Sequence, residues 1–300
     1  MGKKDLTQKI LESFPDVFAD CVNALLYGGD KHLQADTLQP APTETTYPDN
    51  DNELHNQFQD ISKYELHNGR IKAQYTIENQ TSPDKKMPLR KAGYNGAIYR
   101  GQYQGTELYP VIDMILYWEK GHWNYPRRLK ALVHNSLSEE ELQYVDDVQL
   151  HVFEMAHLPP EVRELFKSDM RIVVVYLAEE ENYVPTGQKI VHTEALLRLL
   201  RALSNDERYI DILTQLTTTE KEEGTEMCKL LDRYWYGGVT EGIISSVRCM
   251  YQHKLDAKSI ADLIDQNHDS INEIITLFNP YPTEDDLSIA KRLLAKQDIA

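Results

Sequence analysis

The stretch FQDISKYELHNGRIKAQYTIENQ, residues 58–80, decides how this chain folds. Asn68-Gly69 sits between two runs of strand-forming residues, and Asn-Gly is the strongest short signal for a hairpin. The spacing predicts strands over 58–66 and 71–80. In the second run Ile71, Ala73, Tyr75 and Ile77 take the odd positions, and Lys72, Gln74, Thr76, Glu78 and Gln80 the even ones. That period of two gives one apolar and one polar face. If the loop is Asn68-Gly69-Arg70, closing between His67 and Ile71, Asp60 falls opposite Glu78 on the polar face. Gln80, two residues on, points the same way. A two-residue turn would pair Asp60 with Ile77 and put the acids on opposite faces, so the arrangement requires the longer loop or a bulge.

Facing carboxylates repel unless a cation lies between them. Oxygen ligands suit Mg2+, with Mn2+ or Ca2+ as substitutes, and such an ion can polarise a phosphodiester and activate water. Lys72, Lys85, Lys86 and Arg90 are close enough in sequence to balance phosphate charge. Acids paired across a hairpin are also common on solvated surfaces, so spacing alone does not make this pair a site.

Working outward, Thr81-Ser82-Pro83-Asp84 reads as a turn and 86–104 as a helix. LYPVIDMILYW (108–118) is a near-continuous apolar run of strand length, the mark of a strand covered on both faces. Upstream, 6–27 reads as a helix interrupted near Pro15 and ended by Gly28-Gly29-Asp30, and the polar 36–59, with Pro40, Pro42 and Pro48, as a loop. Downstream, 121–147 mixes loop and helix, and VQLHVFEMA (148–156) alternates like a strand. Residues 169–179 are rich in β-branched residues but have Asp169 as a cap, and read as a helix. An amphipathic helix is expected over 192–216 around Leu196, Leu197, Leu199, Leu200 and Leu203. TTTEKEEG (217–224) is a linker, and 225–300 reads as all-helical, broken at Gly237-Gly238 and Asn279-Pro280. The expected architecture is α/β, a mixed sheet flanked by helices over 1–216 with an all-α C-terminal segment over 217–300.

At 41% hydrophobic residues the chain can bury a sizeable core, yet no apolar run approaches the roughly 18–20 residues of a membrane span. The opening MGKKDLTQKILESF lacks the apolar region of a secretory signal, and Gly2 lacks the following Ser or Thr that myristoylation needs. Cys21, Cys228 and Cys249 are odd in number, with no metal spacing, and suit reduced thiols in the cytoplasm. The net charge of −16 opposes nucleic-acid binding, but it is unevenly spread. Residues 60–100 carry Lys63, Arg70, Lys72, Lys85, Lys86, Arg90, Lys91 and Arg100 against Asp60, Glu65, Glu78 and Asp84. The basic island coincides with the candidate chemistry.

The run TIENQTSPDKKMPLRKAGYNGAIYR (76–100), with Asp60 before it and LYPVIDMILYW after it, resembles the core of the Rpn family of recombination-promoting nucleases and transposase-like proteins, within the PD-(D/E)XK nuclease superfamily. The matching residues are Asp60, Glu78 and Gln80, Ser82-Pro83-Asp84, Met87-Pro88-Leu89-Arg90 and Pro110-Val111-Ile112. DVFADCVNALLYGG (16–29) resembles the family's N-terminal helix and VFEMAHL (152–158) a later strand and turn, so the likeness spans roughly residues 14–215. It implies a restriction-endonuclease-like sheet, with Asp60 and Glu78 as metal ligands. Gln80 takes the place of the superfamily's usual lysine. Glutamine can orient a water but supplies no charge. Charge would have to come from the metal, Lys72, Lys85 or Arg90. The resemblance also makes Asp16 or Asp20 a candidate outer acid, against a plain solvated helix face.

Other residues read more blandly. His122, His151 and His157 have no His-x-x-x-His or His-Glu-x-x-His spacing and read as surface or core imidazoles rather than zinc ligands. Gly237-Gly238-x-x-x-Gly242 lacks the Lys-Ser/Thr of a phosphate loop. Tyr94 and Tyr99 could stack on bases, but their helical spacing favours core. KSIADLI, DQNHD and SINEIITLF (258–278) have helix-turn-helix proportions with Ser270 as N-cap. Lys258 there faces Asp262, Asp265, Asp269 and Glu273, which favours helical packing or self-association over DNA reading. The leading expectation is a metal-dependent DNA endonuclease tied to recombination or mobile elements. The rivals are a catalytically inactive nuclease-fold interaction protein, favoured by the acidic surface and missing lysine, and an RNA-directed nuclease.

Overall fold

The structure is a computed structural model describing residues 3–48, 54–105, 108–133, 137–180, 183, 187–216, 225–227 and 242–297. By compactness the chain divides into one unit of 1–184 with 190–210 and 217–224, and another of 185–189 with 211–216 and 225–300.

The first unit is built on the hairpin. Strands β4 (Ile61–His67) and β5 (Arg70–Gln80) pair antiparallel around Asn68-Gly69. The turn has two residues, not the three expected, and both are left-handed, Asn68 at φ 51° and Gly69 at φ 77°. That is the turn whose twist matches a hairpin, and it tolerates only Asn, Asp and Gly well. A bulge between Glu65 and Leu66 then shifts the register by one residue, so that Glu65 pairs with Ala73 and Ile61 with Ile77. The bulge restores the pairing that the longer loop would have produced. Continued by one residue, it sets Asp60 across from Glu78.

Five strands form the sheet, in the order β1-β4-β5-β6-β7. The edge strand β1 (Leu38–Pro40) runs antiparallel to β4, while β6 (Val111–Tyr117) and β7 (Val152–Glu154) continue the sheet in parallel from β5. The sheet is thus mixed, as expected, with helices on its faces. Residues Ala73 to Gln80 of β5 are all buried. The polar face is therefore covered as fully as the apolar one. Tyr75 and Asn79 face the N-terminal helices α1 (Lys3–Ser13) and α2 (Pro15–Leu26), contacting Tyr27 and Glu12. Thr76 and Glu78 face α3 (Met87–Gly101), whose Lys91 and Arg90 reach them. The polar face is polar because it meets a polar helix, not water.

Other boundaries shift for local reasons. Pro15 begins α2 at a position where a missing N–H costs nothing. The expected loop 36–59 folds into β1 and a separate hairpin, β2 (Glu44–Pro48) with β3 (Leu54–Phe58). Pro40 and Pro48 end strands rather than exclude them. The strand expected over 148–156 shrinks to β7, followed by a 3-10 turn over Met155–His157. Met170–Glu179 is a helix, as expected, burying Ile172, Val173 and Val174. Asp169, however, does not cap it. Its carboxylate accepts from the backbone N–H groups of Val191 and His192. The single helix expected over 192–216 divides into Thr193–Ser204 and Arg208–Gln215, because Asn205 turns left-handed at φ 59°.

In the second unit, Thr225–Glu226 is extended rather than helical. Helical residues 242–252 and the helices Ala257–Leu263, His268–Phe278 and Asp286–Gln297 follow. Ile244, Val247, Ile260, Ile271, Ile274 and Ile289 form their core. Asn267, not Ser270, caps the helix His268–Phe278, accepting from the Asp269 N–H. The expected break at Asn279-Pro280 is present, while the linker 217–224 and Gly237-Gly238 lie outside the described residues.

Candidate functional site

Glu78 stands near the end of β5 and is 3% exposed. The hairpin register brings Asp60 beside it from the bend before β4. The Asp60 carboxylate is held on two sides, with Oδ2 accepting the Asn79 backbone N–H at 2.6 Å and Oδ1 lying 2.6 Å from Lys9 Nζ of α1. Glu78 Oε1 accepts from Arg90 Nη2 at 2.8 Å and, at 3.3 Å, from the Gln80 side-chain amide. Glu78 Oε2 is buried and accepts no hydrogen bond. Burial, then the neighbouring Asp60 charge, push the Glu78 carboxyl up to about 7, against the opposing pull of Arg90, Lys91 and Lys9. A carboxyl half-protonated near neutrality, with one oxygen lacking a partner, is electrostatically frustrated.

Arg90 is a hub. It bonds Glu78, Asp84 at 3.1 Å and the Tyr94 hydroxyl at 3.0 Å. Tyr94 is 3% exposed, so it belongs to the core and cannot stack on a base. One residue along α3, Lys91 is completely buried. Its ammonium donates to Thr76 Oγ1 at 3.2 Å and lies 3.7 Å from Asp113 Oδ1 on β6. Burial lowers its pKa, with Asp113 and Glu78 pulling the other way.

The expected residues do not all converge. Asp60, Glu78, Gln80 and Arg90 do. Lys72 lies far down β5 and pairs with Glu65 at 2.7 Å. Lys85 is exposed before α3. Asp16 meets His192 at 2.9 Å, and Asp20 accepts the N–H groups of Lys167 and Ser168, so both carboxylates are engaged in structural contacts with later segments of the chain. Two contributors escaped the sequence reading, Lys9 and Asp113, and Lys91 entered it only as one member of the basic island. Lys9 could not be found, since only the packing of α1 brings it across some fifty residues of chain to Asp60. Asp113 had a signal, a lone acid inside the apolar run VIDMILY, where an unpaired charge would be costly. Its presence required a buried cation, and Lys91 is that cation.

The acid pair can accept a divalent cation in terms of donor chemistry: two neighbouring carboxylates, of which Glu78 has a raised proton affinity and a buried oxygen without a partner. A cleft of about 480 Å3 lies at other residues, among them Arg127, Arg128, Gln149 and His151. Its arginines are already neutralised, Arg127 by Glu154 and Arg128 by Asp147. Among the described residues no helix is long and apolar enough to cross a membrane.

Fold and site together define a mixed α/β protein with a buried cluster of acids and bases where a hairpin strand meets its covering helix. Residues 50–210, more than half of the chain, match the family described as "Putative transposase, YhgA-like", and the chain belongs to that family. No curated protein and no solved structure matches it.

Proposed function

We propose that this chain is a metal-dependent DNA endonuclease of the PD-(D/E)XK type that serves the movement or recombination of mobile DNA. The observation that carries the reading is Glu78, a buried carboxyl beside Asp60 whose Oε2 has no partner. Family membership supports the DNA substrate. Asp60 and Glu78 would hold Mg2+, or Mn2+ or Ca2+ in its place, and the ion would supply polarisation of a phosphodiester and a more acidic bound water. Gln80 fixes Glu78 through its amide and, lacking charge, leaves charge stabilisation to Arg90. Lys85 and Lys86 are exposed beside α3 and suit the approaching backbone phosphates. The free thiols Cys21 and Cys249 suit work in the cytoplasm. Self-association through the C-terminal helices would give a paired cutter.

The test is plasmid cleavage with Mg2+, Mn2+ or Ca2+, comparing wild type with Asp60→Ala and Glu78→Ala, and with an RNA substrate alongside. Cleavage of DNA by wild type and its loss in both variants is the expected result. Equal activity in all three proteins refutes the assignment.

A second reading, a catalytically inactive interaction protein on the same fold, is favoured by one specific feature. Lys9 and Arg90 already neutralise one acid each. Titration calorimetry separates the two readings, because the inactive protein would take up no divalent ion at the acid pair.

A further inference from the structure

The carboxyl ends of β6 and β7 gather a second group of metal-ligating side chains, independent of the acid pair. His122 lies in the segment that leaves β6, Glu154 ends β7, and His157 closes the 3-10 turn after it. One ligand atom from each lies within 4.8 Å of the others. Gln80, Tyr117 and Glu154 occupy one cross-strand row. Glu154 is therefore two strand spacings, about 10 Å, from Gln80. We infer that His122, Glu154 and His157 form a binding site for one divalent transition-metal ion of the Zn2+ class.

The residues around the group already do what the outer partners of a metal site do. His157 Nε2 is 2.6 Å from the Lys120 carbonyl. A carbonyl only accepts, so Nε2 carries the proton, and Nδ1 of the neutral ring is left with its lone pair. Glu154 is similarly oriented. Arg127 donates to Oε1 at 2.8 Å, which turns Oε2 toward His122 Nδ1 at 2.7 Å. The positions are held by buried neighbours. Trp123, next to His122, is 6% exposed and packs edge-on against Tyr117 with centroids 5.4 Å apart. Met155 and Leu158 bury their side chains on either side of the turn that presents His157. The two imidazoles stack with centroids 4.2 Å apart, so the ligands are drawn together before any ion arrives.

The donor set chooses the metal. Two imidazoles with one carboxylate suit Zn2+, Co2+ or Ni2+, whereas Mg2+ prefers oxygen and water. With ligand bonds of about 2.0–2.1 Å in tetrahedral geometry, a ligand N and O stand about 3.3 Å apart. The His122–Glu154 contact must therefore open by about 0.6 Å, and the proton that His122 Nδ1 donates to the carboxylate is released to solvent as the ion enters. His122 and His157 are exposed, so an ion reaches them directly, and the fourth position remains for water or a substrate atom.

The experiment uses the full chain, stripped of metal, and titrates Zn2+ against a chromophoric chelator, with Co2+ absorption as a report of geometry. Mg2+ calorimetry is run in parallel. Wild type should bind one Zn2+ that the His122→Asn/His157→Asn double variant loses, with affinity down by at least about tenfold. Glu154→Gln should lose it as well, and all three proteins should keep the same circular dichroism. Mg2+ uptake should not change between wild type and the double variant. Absence of Zn2+ binding by wild type overturns the inference, as does equal Zn2+ binding by wild type and the double variant. Failure of Mg2+ binding alone would count against the proposed nuclease and leave this site standing.

Discussion

Glu78→Gln should remove a specific pH dependence from the stability of the sheet-bearing unit. An ordinary Glu titrates near 4.5 once the chain unfolds, whereas folded Glu78 titrates at about 7. The folded state therefore binds the proton more tightly, and Glu78 contributes stability that is full in acid and lost as pH rises through about 7. This is the reverse of a carboxylate whose cationic partner outweighs its burial and so lowers its pKa. Between about pH 5 and about pH 8.5 the loss is on the order of 2–3 kcal/mol for a shift of this size. Glutamine keeps the shape and cannot ionise, so the variant should lack that slope. Urea unfolding across this range, followed through Trp118 and Trp123, measures the difference in slope between the two proteins. Saturating Mg2+ should flatten the wild-type slope as well, because bound metal stabilises the ionised form, by about 2.7 kcal/mol at a hundredfold excess over Kd. Parallel slopes for wild type and Glu78→Gln would refute the claim that burial and Asp60 repulsion act on this carboxyl.

Lys91→Met should destabilise by about 3 kcal/mol or more, since it strips the buried Asp113 of its cation. It should also move the Glu78-linked midpoint above about 7, because Lys91 holds that value down. Denaturant titration against pH reads both effects. Asn23→Ala should cost about 2 kcal/mol or more, because the Asn23 amide satisfies both the N–H and the carbonyl of buried Leu33, each at 2.8 Å. Thermal unfolding measures it. Gly29→Ala should cost about 1–2 kcal/mol, through a φ of +88° and a new Cβ only 2.9 Å from Leu165 Cδ2. Gly28→Ala, also left-handed but in open space, should cost less in the same measurement.

The hairpin and its acid pair were legible because both are local. Asn68-Gly69 marks the turn chemically, and alternation places Thr76, Glu78 and Gln80 on one face whatever the rest of the chain does. The buried character of β6 followed in the same way from its apolar run. The pairing called for a longer loop or a bulge, but that it is a bulge, and that it falls at Glu65–Leu66, was not legible. A bulge depends on how the strand bends over its neighbours, and it alone reconciles a two-residue turn with Asp60 beside Glu78.

What the sequence alone determined is the hairpin, the helix and buried strand that follow it, the helical tail, and which side chains share a strand face, since local periodicity and turn chemistry dictate these. Only the tertiary structure decided that α3 covers the polar face of β5, that Lys9 meets Asp60, that Lys91 answers Asp113, and that His122 comes within reach of Glu154 and His157. Each of these is a meeting between distant segments. Burial removes the water that would otherwise screen the charges, and no spacing along the chain records which partner replaces it.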